Sequence, residues 1–355
     1  MNEARLPLLL RASPFRVRAR RSSLDFQFRV GHPSAREPDG SAPCVTGLSR
    51  AADRELDRLS LSLAAKGIPM VRMDSDRCAG IDCRWDLETG TLHWDSRAFH
   101  PIVFWRRYFA MEAVALPVGE LAHYGREQWA AWAMMLCGSR THRINAAAEP
   151  GRPDRLAQLD AARRAGLRTP ATAVGTRTAD AAALIPGRAD LIVKSLGAHA
   201  VEPEPGRLRG IFPRRVTRAE LSAECAVEPA PVIVQEFLTA AAELRIYLVG
   251  QRLIGYRVTR PSPEAIWTEP ESIRVRRWAV PPPLATALSA LGDEFRLDIA
   301  AFDLLDTADG PVFLEVNPEC DWMWAEHGAG APEVSAAVHD LVAERFAKQQ
   351  GRERV

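Results

Sequence analysis

Residues 297–318 constrain the fold more than any other stretch of the chain. Two apolar, strand-like runs flank the dipeptide Asp309-Gly310, one from Leu297 to Asp306 and one from Pro311 to Pro318. That pattern is a β-hairpin signal. Side chains alternate across a strand, so Glu315 and Asn317 share one face, with Asp303 in the partner strand. Two carboxylates and one amide oxygen are all hard donors. Mg2+ takes one or two carboxylates together with phosphate oxygens, so the hairpin reads as a nucleotide-metal site. The plain alternative is a surface hairpin with solvated acids. Glu and Asn inside an otherwise apolar strand that ends in Pro are hard to place that way.

At 355 residues the chain is long enough for two or three packed units. A hydrophobic content of 47% supports ordinary cores, and a net charge of +1 gives no overall field toward nucleic acid or membrane. Lys66, Lys194 and Lys348 are the lysines; the rest of the 46 basic residues are arginines. An internal lysine is therefore informative, because an ammonium and a guanidinium fork are not equivalent at a phosphate. The six cysteines (Cys44, Cys78, Cys83, Cys137, Cys225 and Cys320) form no C-x-x-C pair and no zinc spacing. Scattered cysteines without a secretory signal point to a reducing cytoplasm. No run reaches the ~18 apolar residues of a membrane span.

Residues 1–23 carry Arg5, Arg11, Arg16, Arg18, Arg20 and Arg21 against the single acid Glu3, and Leu8-Leu9-Leu10 is too short for a signal peptide. A disordered extension is expected there. Residues 24–140 read as a small α/β unit. Strands are expected over 24–30, 68–73 and 101–107, and a hairpin over 86–95 around Thr89-Gly90. Leu56, Leu59 and Leu63 mark a helix over 53–66 with Gly67 as its cap, and a helix rich in Trp and Met follows over 127–136. Arg106-Arg107 reads either as a solvated strand end or as a functional pair.

Residues 141–235 read as a second unit, with helices over 154–165 and 178–184 and an extended strand over 169–174. The run Leu191-Ile192-Val193 delivers Lys194 to a strand end before a loop containing Gly197. There the ammonium can reach nucleotide phosphates while the loop backbone approaches closely. Neither G-x-x-x-x-G-K-[ST] nor G-x-G-x-x-G after a strand is present, which disfavours P-loop and Rossmann readings. In the third unit, residues 236–355, the run from Glu243 to Gly250 places Glu243, Arg245 and Tyr247 opposite Leu244, Ile246 and Leu248. Gly250-Gln251 turns it into a strand carrying Arg257. A face with one acid and an arginine suits ribose hydroxyls and phosphate. Residues 259–277 lack a clear pattern, and Arg274, Arg276 and Arg277 read equally as substrate contacts or a solvated loop. Helices are expected over 284–295 and 333–347.

Asp303 together with Phe313-Leu314-Glu315-Val316-Asn317-Pro318 resembles the metal-binding end of the ATP-grasp ligases. The continuation Asp321-Trp322-Met323-Trp324-Ala325-Glu326 is similar to the branch that cross-links ribosomally made peptides, the graspetide synthetases of the microviridin type. Trp105-Arg106-Arg107 looks like a stretch of that family's N-terminal unit. The resemblance spans most of the chain beyond the extension. It implies an α/β (α+β) protein, an ATP-grasp fold preceded by an N-terminal α/β domain. It also implies ATP and Mg2+, as two ions held by Asp303, Glu315 and Asn317. Lys194 matches the lysine of the family's nucleotide cleft. Arg155 stands where the family has another lysine, which keeps the charge but changes the geometry. The family's small glycine-rich loop maps to residues 196–200, with one glycine and His199. Glu236 and Leu238 map to the adenine edge and Glu243 to the ribose, while Arg245 and Arg257 are expected beside the transferring phosphoryl group.

The implied reaction has two steps. ATP phosphorylates a carboxylate, and an amine or hydroxyl attacks the acyl phosphate. The implied partner is a precursor peptide with an acidic core, met by arginine pairs such as Arg106-Arg107, Arg214-Arg215 and the Arg274–Arg277 group. A homodimer is compatible with the resemblance; nucleic acid and membrane are not expected partners. Two other readings stand beside it: an ATP-grasp ligase joining free amino acids or short peptides, and an inactive nucleotide-binding module.

Overall fold

The computed structural model describes residues 16–18, 42–94, 97–116, 119–136, 142–146, 153–197, 200–204, 207–224, 227–261 and 269–353. The strand expected over 24–30 and the loop residue His199 lie outside the described residues. Within the N-terminal extension, β1 (Arg16–Arg18) is a short strand rather than a loose segment.

The next stretch runs β2 (Ala42–Ser49), α1 (Arg54–Ala65), β3 (Met70–Asp74), β4 (Cys83–Asp86), β5 (Thr91–Trp94), β6 (Arg97–Arg106), α2 (Glu120–Met135) and β7 (His142–Ile144). The sheet order is β3-β2-β6-β5-β4, with β7 on β6. β2 is parallel to β3 and β6. A parallel central strand is covered on both faces, and every residue of β2 is buried. Its Pro, Thr, Gly and Ser hide that role from periodicity. α1 forms as its leucine spacing predicts: the Asp53 carboxylate accepts the amides of Glu55 and Leu56, and Leu56, Leu59 and Leu63 are fully buried. α2 begins at Glu120, about two turns before the expected start.

The middle of the chain runs α3 (Arg155–Arg164), β8 (Thr172–Arg177), α4 (Thr178–Ala183), β9 (Asp190–Ser195), β10 (Ala200–Glu204), β11 (Arg207–Gly210), β12 (Arg214–Thr217), α5 (Arg218–Glu224) and β13 (Val227–Glu236). β12-β9-β13-β8 make an antiparallel sheet. β11 pairs β10 on one side and β1 on the other.

The last stretch holds β14 (Ala242–Val249), β15 (Arg252–Thr259), β16 (Arg274–Trp278), α6 (Pro282–Glu294), β17 (Ile299–Thr307), β18 (Gly310–Asn317), α7 (Met323–Ala329) and α8 (Glu333–Glu353). The strands form one antiparallel sheet, β16-β15-β14-β17-β18. β16 was the unpatterned stretch; it is an edge strand whose arginines alternate with Val275. One face of this sheet buries Leu244, Ile246, Leu248, Phe302, Leu304 and Phe313 against Leu159 of α3 and Leu284, Leu288 and Leu291 of α6. The other face packs Tyr247, Tyr256 and Ala301 with Trp322, α8, and Leu56, Leu59 and Trp105 of the N-terminal elements. Each fully buried leucine contributes roughly 1.5–3 kcal/mol, so these two layers hold the strands rigid. No described helix is long and apolar enough to cross a membrane.

Candidate active site

The hairpin forms as its sequence predicts, but its register carries a bulge. Thr307 pairs with Gly310, Leu305 with Val312 and Leu304 with Phe313; then Asp303 pairs with Glu315 and Ala301 with Asn317. Leu314 is the extra residue. A one-residue shift moves every following side chain to the other face. Without it, Glu315 would sit opposite Phe302, on the face packed against α6. With it, Glu315 and Asn317 join Asp303. α3 supports the bulge: Val316 N donates to Gln158 Oε1 at 2.8 Å, and Gln158 Nε2 donates to Pro153 O at 2.7 Å. Gln158 is buried.

Arg245 stands on β14 directly across from Asp303 of β17. Its Nη1 donates to both Asp303 oxygens, at 2.8 and 2.6 Å, and its Nη2 to Asp321 Oδ1 at 3.0 Å. Burial raises the Asp303 pKa; Arg245 draws it down and the facing Glu315 carboxylate pushes it up. Two acids held this close repel, and a cation between them would remove that repulsion.

Two positive groups arrive from elsewhere in the chain. Arg155, at the start of α3, donates from Nε to Glu315 Oε2 at 3.0 Å. Its Nη1 donates to the carbonyls of Ser195 and Gly197, the latter at 3.0 Å, so one guanidinium joins β18 to the end of β9. Lys194 lies on β9 beside them. Burial lowers its pKa, Glu315 and Asp303 raise it, and Arg155 lowers it further. A cationic end of β9 thus faces an acidic hairpin.

Glu243 shares the face of Arg245, and Arg260 holds its Oε1 through Nε at 3.0 Å and Nη2 at 2.5 Å. At the end of β13, Glu236 accepts the Ala171 amide at 3.0 Å and pairs with Arg188 at 2.8 Å, so its side chain ties the end of β13 to the start of β8 and to Arg188. Leu238 follows β13, half-buried. Arg257 is not brought to the site. It pairs across the strands with Leu244, on the opposite face from Arg245, and its Nε donates to Asp306 at 2.9 Å. The two-residue turn at Gly250-Gln251 sets that register, so the placement was readable from the hairpin itself.

The arginine pairs also divide. Arg107 is fully buried, so it is neither a solvated strand end nor a peptide contact. Arg215 pairs with Asp190 and lies over the Phe237 ring, and Arg277 pairs with Glu333. Arg274 and Arg276 remain exposed on β16. Asp321, noted only as part of the motif after Asn317, was given no site role, and neither were Gln158 and Arg260. Asp321 had a signal, as an acid four residues after Asn317; the other two had none.

The donor set suits Mg2+. Among the described residues, no three His, Cys, Asp or Glu side chains form a metal cluster; the third oxygen donor of the candidate set is the Asn317 amide, on the same face as Asp303 and Glu315. Asn317 Oδ1 accepts the Glu319 amide at 2.9 Å, which fixes its orientation. Two hard carboxylates, one ordered amide oxygen and neighbouring cations for phosphate fit a magnesium-nucleotide better than a soft metal.

This sheet arrangement is the ATP-grasp fold. The chain is similar to the macrocyclase MdnC from Microcystis aeruginosa MRC, solved bound with precursor peptide MdnA: TM-score 0.70 and 20% identity, covering 85% of this chain and 99% of that one. It is also similar to a RiPP-associated ATP-grasp ligase from Chryseobacterium gregarium in complex with ADP and a leader and core peptide, at TM-score 0.68 and 17% identity over 85% and 97% of the two chains. The ATP-grasp ligase PsnB, complexed with minimal precursor, Mg and ADP, superposes at TM-score 0.62 and 16% identity, with the same coverage. No protein-family model and no curated protein matches the chain.

Proposed function

We propose that the chain is an ATP-dependent, ADP-forming ligase. It activates Asp or Glu side chains of a ribosomally made precursor peptide and closes ester or amide cross-links. The observation that carries this reading is the meeting of Lys194 and Arg155 with Asp303 and Glu315, within a fold shared with ligases solved with nucleotide and precursor peptide. The chain divides, in this reading, into a pre-ATP-grasp unit over 24–140 and two ATP-grasp subdomains over 141–235 and 236–355, with separate sheets in support.

Asp303, Glu315 and Asn317 would hold Mg2+, which when bound neutralises charge on phosphate oxygens. Lys194 and Arg155 bind the phosphates. Arg245 lies where negative charge develops on the transferring group. The hinge at Glu236 and Leu238 takes the adenine edge, and Glu243 the ribose. Arg257, on the other face, has no part in the site. The peptide carboxylate attacks the γ-phosphorus and ADP leaves. An amine or hydroxyl of the same peptide then attacks the acyl carbon, loses its proton, and phosphate departs. No protein nucleophile is required.

Incubation with ATP, MgCl2 and an Asp/Glu-rich peptide bearing Lys and Ser tests the reading. The peptide should lose one water mass per cross-link while ADP forms. ADP formed with free amino acids and not with peptides would favour the small-substrate ligase.

A further inference from the structure

Arg245 has two acid partners, and only one of them is a proposed cation ligand. The second, Asp321, is tied down from both ends of its segment. Tyr247 OH donates to Asp321 O at 2.8 Å, and Arg107 Nη2 donates to Cys320 O at 2.9 Å. Glu55 Oε1 accepts the amides of Trp322, at 2.6 Å, and Met323, at 3.0 Å. Arg107 and Glu55 are themselves paired, at 2.6 Å, and the Arg107 guanidinium lies 4.6 Å from the Trp322 ring centre and 5.1 Å from that of Trp105. A buried pair from the N-terminal elements thus fixes the backbone on either side of Asp321.

The geometry points to Asp321 as a positioning residue for the cation site, held in place by the Glu55–Arg107 pair. This rests on the metal reading of Asp303 and Glu315. A cation held by Asp303 would compete with Nη1 of Arg245, which spans both carboxylate oxygens. Asp321 keeps Nη2, so the guanidinium stays beside the phosphates instead of following Asp303. Without Asp321, Asp303 is the sole acid partner of Arg245 among the described residues. The guanidinium then competes with the cation for it.

Thermal unfolding of the full chain in saturating ADP, titrated with MgCl2, reads this directly. Asp321→Asn should leave the unfolding temperature without ligands unchanged, because the Asp321 side chain is 51% exposed. It should raise the Mg2+ concentration for half-maximal stabilisation roughly 10- to 100-fold, the range for losing an outer partner of a metal ligand. Asp321→Glu should recover part of the shift. Glu55→Gln should shift the Mg2+ midpoint in the same direction, and the double variant should shift no further than the larger single effect. An Asp321→Asn midpoint equal to wild type overturns the inference and leaves the site reading standing. Absence of any Mg2+-dependent stabilisation in wild type overturns both. A Glu55→Gln variant that unfolds earlier yet keeps the wild-type midpoint overturns the role of the Glu55–Arg107 pair.

Discussion

Asp303 and Glu315 face each other across β17 and β18 because Leu314 is an extra residue in the ladder. The bulge turns Glu315 out of the face that packs against α6 and into the face that holds Arg245. Bulges recur beside active sites because they re-aim side chains in this way.

Glu315→Ala should therefore remove turnover without unfolding the protein. The side chain is partly exposed, and losing its ion pair with Arg155 should lower the unfolding temperature only modestly. ATP-dependent product should fall at least ~100-fold, since a direct ligand contributes more than the outer partners of a metal. Near-normal product formation would remove Glu315 from the site.

Gln158→Leu keeps the volume of a buried side chain and deletes its amide. Val316 N then loses its acceptor at the bulge, at a cost of about 1–3 kcal/mol. Urea unfolding should show that loss, and Mg2+ affinity in ADP should fall with it. Lower stability with unchanged Mg2+ affinity would mean that the bulge holds its register unaided.

Lys194→Arg tests why a lysine persists in a chain otherwise rich in arginine. Lys194 lies on β9 directly across from Ile233 of β13, beside the Arg155 guanidinium that already spans to Ser195 and Gly197. A second fork has little space there. KM for ATP should rise about tenfold, equivalent to ~1.4 kcal/mol of misplaced charge contact. An unchanged KM would make the lysine incidental.

The acidic-peptide reading is tested on Arg274 and Arg276, which are exposed on β16, because Arg107, Arg215 and Arg277 pair with acids. The double variant Arg274→Ala/Arg276→Ala should weaken binding of an Asp/Glu-rich peptide a few-fold, and rising salt should weaken the wild type toward it, since exposed pairs are screened. Fluorescence anisotropy at low and high ionic strength measures both. Salt-insensitive binding equal in both proteins would move the peptide site elsewhere.

Local pattern made much of this protein readable before its fold was seen. The leucine spacing of α1, the alternation of β14, the hairpin turn before β18 and the shared face of Glu315 and Asn317 follow from periods of 3.6 and 2 residues that act within a few positions. The two-residue turn at Gly250-Gln251 even placed Arg257 on the far face, had the register been counted. Other features depended on segments far apart in the chain. Nothing near Arg107 foretells a buried ion pair with Glu55, or near Arg155 a bridge from Glu315 to Gly197. A charged side chain is solvated or buried according to what packs over it, and that is set by contacts dozens to hundreds of residues away. The bulge at Leu314 belongs with these: the hairpin turn alone would have sent Glu315 into the core, and Gln158, arriving on α3, supports the other register.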